Sequence, residues 1–419
     1  MQSNSLEKSI QQQASQCVKC GLCLPYCPTY ALTENECESP RGRIALLDAL
    51  AKKQIPLSEK TQLYLDHCLT CRACEAVCPA KVSYGELIDK GRQLILEQSA
   101  SPKKITLPKS LAIALKHPWL WQTLARLLAF YQRSGLQYLT RKSGLLKALR
   151  LARVEALLPI SIIHSGWRPY YKATAPERGQ VALFTGCINQ LVDRTTIKAA
   201  IKLLTACGYN VYIPTTQQCC GALHQHAGAI KQAQALAQAN IAIFNQLKIE
   251  KIITITTGCS VVLQEYAHLV NSPTSANFNQ KIIDINQFLI TIAWPQNLTL
   301  SPLAKKIIVH TPCTLRNVLK QAAAPLQLLQ KIPAAEIIPL AANNYCCGAA
   351  GQYMLQHPAM SDNLLAQTLD LIIPLNPDYL ATTNIGCNLH LQKGLTEKHC
   401  KTRVLHPIVL LAQQLTQPP

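Results

Sequence analysis

Apolar residues recur along this chain with two different periods, and the change between them falls near residue 176. Before it they return every three or four positions, the mark of helices with one buried face. In SPRGRIALLDAL, Ser39 is placed to cap, Pro40 suits a first helical position, and Ile44, Leu47 and Ala51 share a face. A second helix is expected from Ser58, with Glu59 in its first turn, leading to Cys68. SYGELIDKGRQLILEQ reads as a third helix, with Ser83 and Glu86 as a capping box and Leu87, Gly91, Leu94 and Ile95 in one stripe; it ends near residue 98.

After residue 176 the pattern becomes short β-rich apolar runs alternating with helical stretches, which predicts parallel α/β sheets. Each run leads to a cysteine, and the order repeats. VALFTGC ends at Cys187 and IIVHTPC at Cys313; QQCCGAL holds Cys219 and Cys220 where NYCCGAA holds Cys346 and Cys347; IITITTGC ends at Cys259 and LATTNIGC at Cys387. The offset between copies is nearly constant, so the second half is an internal duplication. Sites in such sheets form at the carboxyl ends of strands, where these cysteines converge. Gly221 and Gly348, directly after each cysteine pair, permit a positive φ that turns both thiols to one side. A buried cysteine alone is only a small hydrophobe, but four per copy in the same context mark a candidate metal site. Cys37, Cys207 and Cys400 fall outside both patterns and read as ordinary thiols.

Composition changes the picture in the middle of the chain. The 419 residues, 48% of them hydrophobic, suffice for several packed domains. The formal net charge is +19. Much of it lies from Lys103 to Lys172, where thirteen Lys and Arg stand against one acid, Glu155. That segment is amphipathic: Leu120, Leu124, Leu127, Leu128 and Tyr131 share a face, and Leu145, Leu146 and Leu149 alternate with Lys147, Arg150 and Arg153. Lys116, His117, Pro118 and Arg126 interrupt any span long enough to cross a bilayer. The segment fits a helical linker, a surface for anionic lipid, or a dock for an acidic subunit. Nucleic acid is not expected, because only 5% of residues are aromatic and no basic helix is interleaved with stacking side chains. The opening MQSNSLEKSIQQQ has no apolar signal region, so the nineteen cysteines are expected to be reduced, in a cytoplasm-like compartment.

The most specific chemistry is a ladder of thiols written twice, CVKCGLCLPYCP from Cys17 to Cys27 and CLTCRACEAVCP from Cys68 to Cys78. Three cysteines two residues apart, a fourth after three more, and then a proline is the spacing of bacterial two-cluster ferredoxins, in which the fourth cysteine ligates the other cluster. The spacing assigns one [4Fe-4S] cluster to Cys17, Cys20, Cys23 and Cys78. A second takes Cys68, Cys71, Cys74 and Cys27. Pro28 and Pro79 hold the residues before them extended, which aims each fourth thiol away from its own loop. Tetrahedral zinc, the competing reading, uses two separated thiolate pairs, for which neither run leaves room. Arg41 and Arg43 sit at the start of a helix beside these ligands, either to stabilise an added electron or as a solvated turn. His67 reads as a polar neighbour of Cys68.

With these residues in view, the chain resembles the iron–sulfur subunit of glycolate oxidase (glycolate dehydrogenase) over essentially its whole length. The resemblance rests on the twin ladders, on CPTY from Cys27 followed by SPRGRI from Ser39, on CLTCRACE, and on two CCG domains of the heterodisulfide-reductase type, with TPCTL from Thr311 and NIGC from Asn384. It implies an α/β chain with a helical N-terminal part. The expected domains are a two-cluster ferredoxin-type domain over 1–98, a basic helical linker over 99–175, and CCG repeats with parallel sheets over 176–298 and 299–419. It implies a membrane-associated complex in which FAD-binding subunits oxidise glycolate to glyoxylate and this chain carries electrons to an acceptor such as quinone. It also implies a peripheral place on the cytoplasmic face of the inner membrane. Anaerobic glycerol-3-phosphate or lactate dehydrogenase subunits, or a heterodisulfide-reductase-like enzyme acting at the CCG cysteines, are the alternatives. No GxGxxG fingerprint opens a helix after a strand, so hydride chemistry falls to a partner. One departure stands out. In the heterodisulfide-reductase pattern another cysteine follows the last one of each CCG domain, after two intervening residues, and here Val262 and His390 occupy those places. A cubane on four thiolates, a site using His390, and a vestigial site all remain open.

Overall fold

The computed structural model describes residues 2–98, 118–149, 151–159, 167–340 and 346–416. Lys103, Lys104, Lys109, Lys116 and Arg150 of the basic segment lie outside the described residues, as does the side chain of Leu120.

The first body is helical. Helices Gln2–Ser15, Pro40–Ala51, Glu59–Asp66 and Tyr84–Gln98 close around Ile10, Leu47, Leu65, Leu87, Ile88 and Leu94, which form one buried cluster. Ser39 caps the second helix, its hydroxyl accepting from the Gly42 amide at 3.0 Å, and Pro40 occupies the first turn, where no backbone donor is needed. Ser58 caps the third, accepting from the Thr61 amide at 3.1 Å. Gly91 lets Tyr84–Gln98 lie close on Pro40–Ala51, since a Cβ there would collide with the Leu47 side chain. The start of Tyr84–Gln98 differs from the expected capping box. Glu75 accepts from the Gly85 amide at 2.8 Å, and Glu86 pairs instead with Lys90 at 2.5 Å. A carboxylate from the neighbouring cysteine loop thus supplies the cap, tying that loop to the helix.

The linker is a series of short helices, Pro118–Arg133, Leu136–Lys142, Leu145–Ala148 and Ala152–Ala156. Its inner side is anchored: the Arg153 guanidinium forks onto the Asp362 carboxylate at 2.7 and 3.0 Å, and Leu157 joins the core of the second repeat. Leu127, Phe130, Leu139 and Leu149 stay exposed, beside Arg126, Arg133, Arg141 and Lys147. Among the described residues no helix is long and apolar enough to cross a membrane.

The two repeats have the same topology. Strands β1 (Tyr170–Tyr171), β2 (Gly179–Phe184), β3 (Tyr209–Tyr212), β4 (Lys251–Thr254) and β5 (Ile282–Asp284) form one sheet in the order β1-β3-β2-β4-β5. Strands β6 (Lys306–Val309), β7 (Glu336–Pro339), β8 (Tyr379–Ala381) and β9 (Arg403–Leu405) form the other, β7-β6-β8-β9. Every pairing is parallel except that of β1, an edge strand from the end of the linker that runs antiparallel to β3 and that the periodicity did not signal. The strands read as nearly unbroken apolar runs because helices cover both faces.

The repeats are not independent. Leu183 and Ile253 of the first sheet and Ile307 and Val309 of the second belong to one buried cluster, with Leu410 and Leu411 of helix Pro407–Gln414, which packs on helix Arg194–Ala206 of the first repeat. This shared layer fixes the carboxyl ends of β2 and β4 relative to those of β6 and β8.

Candidate functional site

Both thiol ladders adopt the same backbone curl. Lys19 (φ 57°) and Gly21 (φ 84°) flank Cys20 in the left-handed region, and Thr70 (φ 50°) and Arg72 (φ 56°) flank Cys71 in the same way. For a residue with a Cβ that conformation costs on the order of 1 kcal/mol, so its recurrence at three non-glycine positions is a strain that the loop's purpose must offset. The effect is to turn the first three sulfurs of each run towards one hollow.

The fourth sulfur of each run goes to the other hollow. One, of about 300 Å³, is lined by Cys68, Cys71 and Cys74 together with Cys27 from the first ladder. The other, of about 450 Å³, is lined by Cys17, Cys20, Cys23 and Cys78. Cys74, Pro40 and Tyr84 line both, so the hollows share a wall. They differ in exposure: Cys20 is exposed, with Val18 and Leu22 beside it 71% and 57% exposed, whereas Cys27, Cys68 and Cys74 are buried. Burial pushes the Cys71 and Cys74 thiols up, so each thiolate there needs a cation to meet it.

A fixed cation already lies at the buried hollow. Arg43 is 1% exposed; its Nε donates to Tyr64 O at 2.7 Å, and its Nη1 to Thr29 Oγ1 at 3.0 Å and to Cys27 Sγ at 3.9 Å. Burial pulls against its charge, but Cys68, Tyr84, Cys27 and Glu38 more than offset this, and its pKa rises. Glu38 Oε1 in turn accepts from His67 Nδ1 at 2.8 Å, so His67 is held by a carboxylate as a neighbour of Cys68. The Tyr84 hydroxyl donates to Cys68 Sγ at 3.6 Å. Arg41 instead pairs with Glu36 at 2.6 Å near the surface. Of the two arginines, Arg43 is the buried cation and Arg41 the solvated one.

Each repeat brings its four cysteines together as free thiols. In the first, Cys187 Sγ lies 3.5 Å from Cys219 Sγ, and Cys219 and Cys259 both push the Cys220 thiol up. In the second, Cys347 Sγ lies 3.0 Å from Cys387 Sγ, and Cys346 pushes the Cys313 thiol up. Gly221 (φ 85°) and Gly348 (φ 79°) make the turns, and a Cβ at Gly348 would meet Ser361 O at 2.5 Å. Val262 is buried in the apolar core. His390 Nε2 faces Ser361 Oγ at 3.0 Å, and Ser361 donates to Gly348 O at 2.9 Å, so His390 serves the turn from outside the thiol group. Cys207 packs in the shared core, Cys400 lies 3.3 Å from Thr402 Oγ1, and Cys37 donates its amide to Asn35, all apart from these groups.

The comparisons with known proteins agree with this layout. Residues 13–82 match the 4Fe-4S dicluster domain family, residues 181–264 and 307–392 each match the cysteine-rich domain family, and residues 110–158 match the linker region of the glycolate oxidase iron–sulfur subunit. The chain is 33% identical to the probable glycolate oxidase iron–sulfur subunit of Bacillus subtilis (strain 168), over 99% of this chain and 96% of that one. The chain belongs to the glycolate oxidase iron–sulfur subunit family. A second relative, the glycolate oxidase iron–sulfur subunit of Escherichia coli (strain K12), is 29% identical over 95% of this chain and 93% of its own. Lactate utilization protein A of Anoxybacillus flavithermus is 26% identical over 54% of this chain and 96% of its own. Membership of the glycolate oxidase iron–sulfur subunit family makes this an iron–sulfur protein and a subunit of a glycolate oxidase-type complex. The residues present fit such groups: one hollow presents four thiols and the other five, Cys74 counted in both, with no carboxylate or imidazole among either lining, the soft donor set that iron–sulfur centres take.

Sequence reasoning placed Arg43 at the head of a helix but could not see that it points inward, because nothing local to SPRGRI tells which of its two arginines faces the core. It missed Arg72, which pairs with Glu75 at 2.6 Å and with Glu265 of the first repeat. It also missed Arg92, whose guanidinium donates to Cys68 O at 2.7 Å and to His226 O at 3.0 Å, joining the buried cysteine loop to the first repeat. Replacing Arg43 by Met removes the buried guanidinium that reaches Cys27 Sγ. The reduction potential of an iron–sulfur centre in the Cys27, Cys68, Cys71 and Cys74 hollow is expected to fall by roughly 50 mV, about 1 kcal/mol, while Arg43→Lys keeps most of the potential. Potentiometric titration followed by electron paramagnetic resonance reads the shift, and equal potentials in wild type and the Met variant would contradict it.

Proposed function

We propose that this chain is the electron conduit of a glycolate-oxidising complex, taking electrons from FAD-bearing partner subunits and delivering them to a membrane acceptor, quinone. Glycolate gives up two electrons together as hydride, yielding glyoxylate; a flavin accepts that pair and releases it singly, and iron–sulfur centres carry single electrons. Cys17, Cys20, Cys23 and Cys78 would hold one [4Fe-4S] cluster and Cys68, Cys71, Cys74 and Cys27 the other. Cys187, Cys219, Cys220, Cys259, Cys313, Cys346, Cys347 and Cys387 would hold whatever further centres the repeats carry. The observation that carries the reading is the shared wall between the two thiol-rimmed hollows, one reaching the surface and one buried. Adjacent sites of graded exposure suit a relay that loads from a partner and passes inward.

The roles of the chain's own side chains follow from their positions. Val18 and Leu22 give the exposed end an apolar contact face for a redox partner. Arg43 favours the electron at the buried end by its charge, and Tyr84 orients the Cys68 sulfur. The linker's exposed leucines and basic residues suit peripheral attachment to an anionic membrane on its cytoplasmic face, each basic group contributing about 1 kcal/mol near the surface. A second reading keeps the conduit but exchanges glycolate for lactate; the relation to lactate utilization proteins over about half the chain favours it.

Two experiments test these assignments. The purified chain mixed with glycolate and an artificial dye is expected to reduce nothing until its flavoprotein partners are added, and dye reduction by the chain alone would contradict the conduit. Running the same assay with lactate decides between the two substrates. Membranes carrying the isolated chain are expected to release it in high salt; retention until detergent is added would refute electrostatic attachment.

A further inference from the structure

The two cysteine repeats share a topology, yet it is the second whose cysteines come up against the buried hollow. Cys71, on the rim of that hollow, belongs to one apolar cluster with Cys313, Cys346, Leu69, Tyr353 and Leu364. The join is made by a local departure from the repeat. In the first copy the residues from Cys187 to Val192 form an ordinary α-helix, whereas in the second the corresponding turn after Cys313 is widened into a π-helix over Thr314–Val318. Such turns are uncommon and gather at functional sites, because the extra residue per turn re-aims a side chain. Here it presents Asn317, whose Nδ2 donates to Cys71 O at 2.8 Å, and the π turn packs on the short helix Ala73–Ala76 of the ladder.

We propose that the Cys313, Cys346, Cys347 and Cys387 group is the next electron station after the Cys27, Cys68, Cys71 and Cys74 hollow, reached through Cys71, and that the Cys187, Cys219, Cys220 and Cys259 group is off this route. The step is a single-electron transfer between two iron–sulfur centres. The centre in the buried hollow is oxidised, the centre on the second repeat is reduced, and no bond or proton moves. The inference rests on the conduit reading and adds to it a direction: surface hollow, buried hollow, second repeat, acceptor. The first repeat's part is to brace the ladder, through the Arg72 contact with Glu265 and the Arg92 bond to His226.

The test uses the full chain in complex with its flavoprotein partners, with glycolate as reductant and a water-soluble quinone as acceptor. Iron is counted in each variant, and freeze-quenched electron paramagnetic resonance follows the reduced signal of the ladder half. In Cys346→Ser that signal is expected to build up and persist, with quinone reduction lost, while in Asn240→Leu, which loses the amide bond to Cys219 O at 3.1 Å in the first repeat, it passes on as in wild type. Asn317→Leu keeps every thiol and so guards against misfolding of the cysteine variant. It is expected to show wild-type iron and the same build-up of signal. A block by Asn240→Leu equal to that of Cys346→Ser, or transfer at the wild-type rate in Asn317→Leu, would overturn the proposal. Absence of any ladder-half signal in the wild-type complex would instead overturn the conduit reading beneath it.

Discussion

A thiolate buried in an apolar interior is stable only where a cation meets it, and this chain buries many thiols. That constraint organises the helical half. Strained left-handed residues at matching places in both ladders turn three sulfurs to a hollow. A proline after each fourth cysteine sends that sulfur across to the other hollow. At the more buried of the two a fixed guanidinium, Arg43, is carried in on the first turn of a helix whose Ser39 cap and Pro40 set its direction. Gly91, which lets the helices close, and Glu75, which caps one of them from within a ladder, serve the same enclosure. The remaining countercharge is what iron would supply.

The same constraint is met differently in the repeats. There Cys187 meets Cys219 and Cys347 meets Cys387 sulfur to sulfur, and the tight turns at Gly221 and Gly348 bring the vicinal pairs to those contacts. A duplicated fold with a shared core would make two equivalent sites. The π turn after Cys313 breaks the equivalence by spending one residue on a contact with Cys71. Duplication supplied the scaffold, and one local change in helical winding gave its halves different neighbours.

Much of this was legible in the residues. Alternating strand and helix periods gave the parallel sheets, and the order of cysteines gave the duplication. The fused core was not legible, because helix Pro407–Gln414 packs across to the first repeat and no local pattern encodes a distant partner. Nor was β1, whose two residues are too few to show a period. The capping box at Ser83 looked complete in sequence, but Glu75, ten residues before Gly85, outcompeted it in space. Arg43 and Arg41 are two residues apart on one turn; which of them faces inward depended on where Cys27 and Tyr64 came to lie.

The central claim is that the two ladders exchange their fourth ligands, and one substitution addresses it directly. In Cys78→Ser the centre held by Cys17, Cys20 and Cys23 should lose iron or change its electron paramagnetic resonance signal, while the centre at the Cys68, Cys71 and Cys74 hollow keeps its own, after anaerobic loading with iron and sulfide. Damage confined to the centre of the second ladder, to which Cys78 belongs in sequence, would contradict the account.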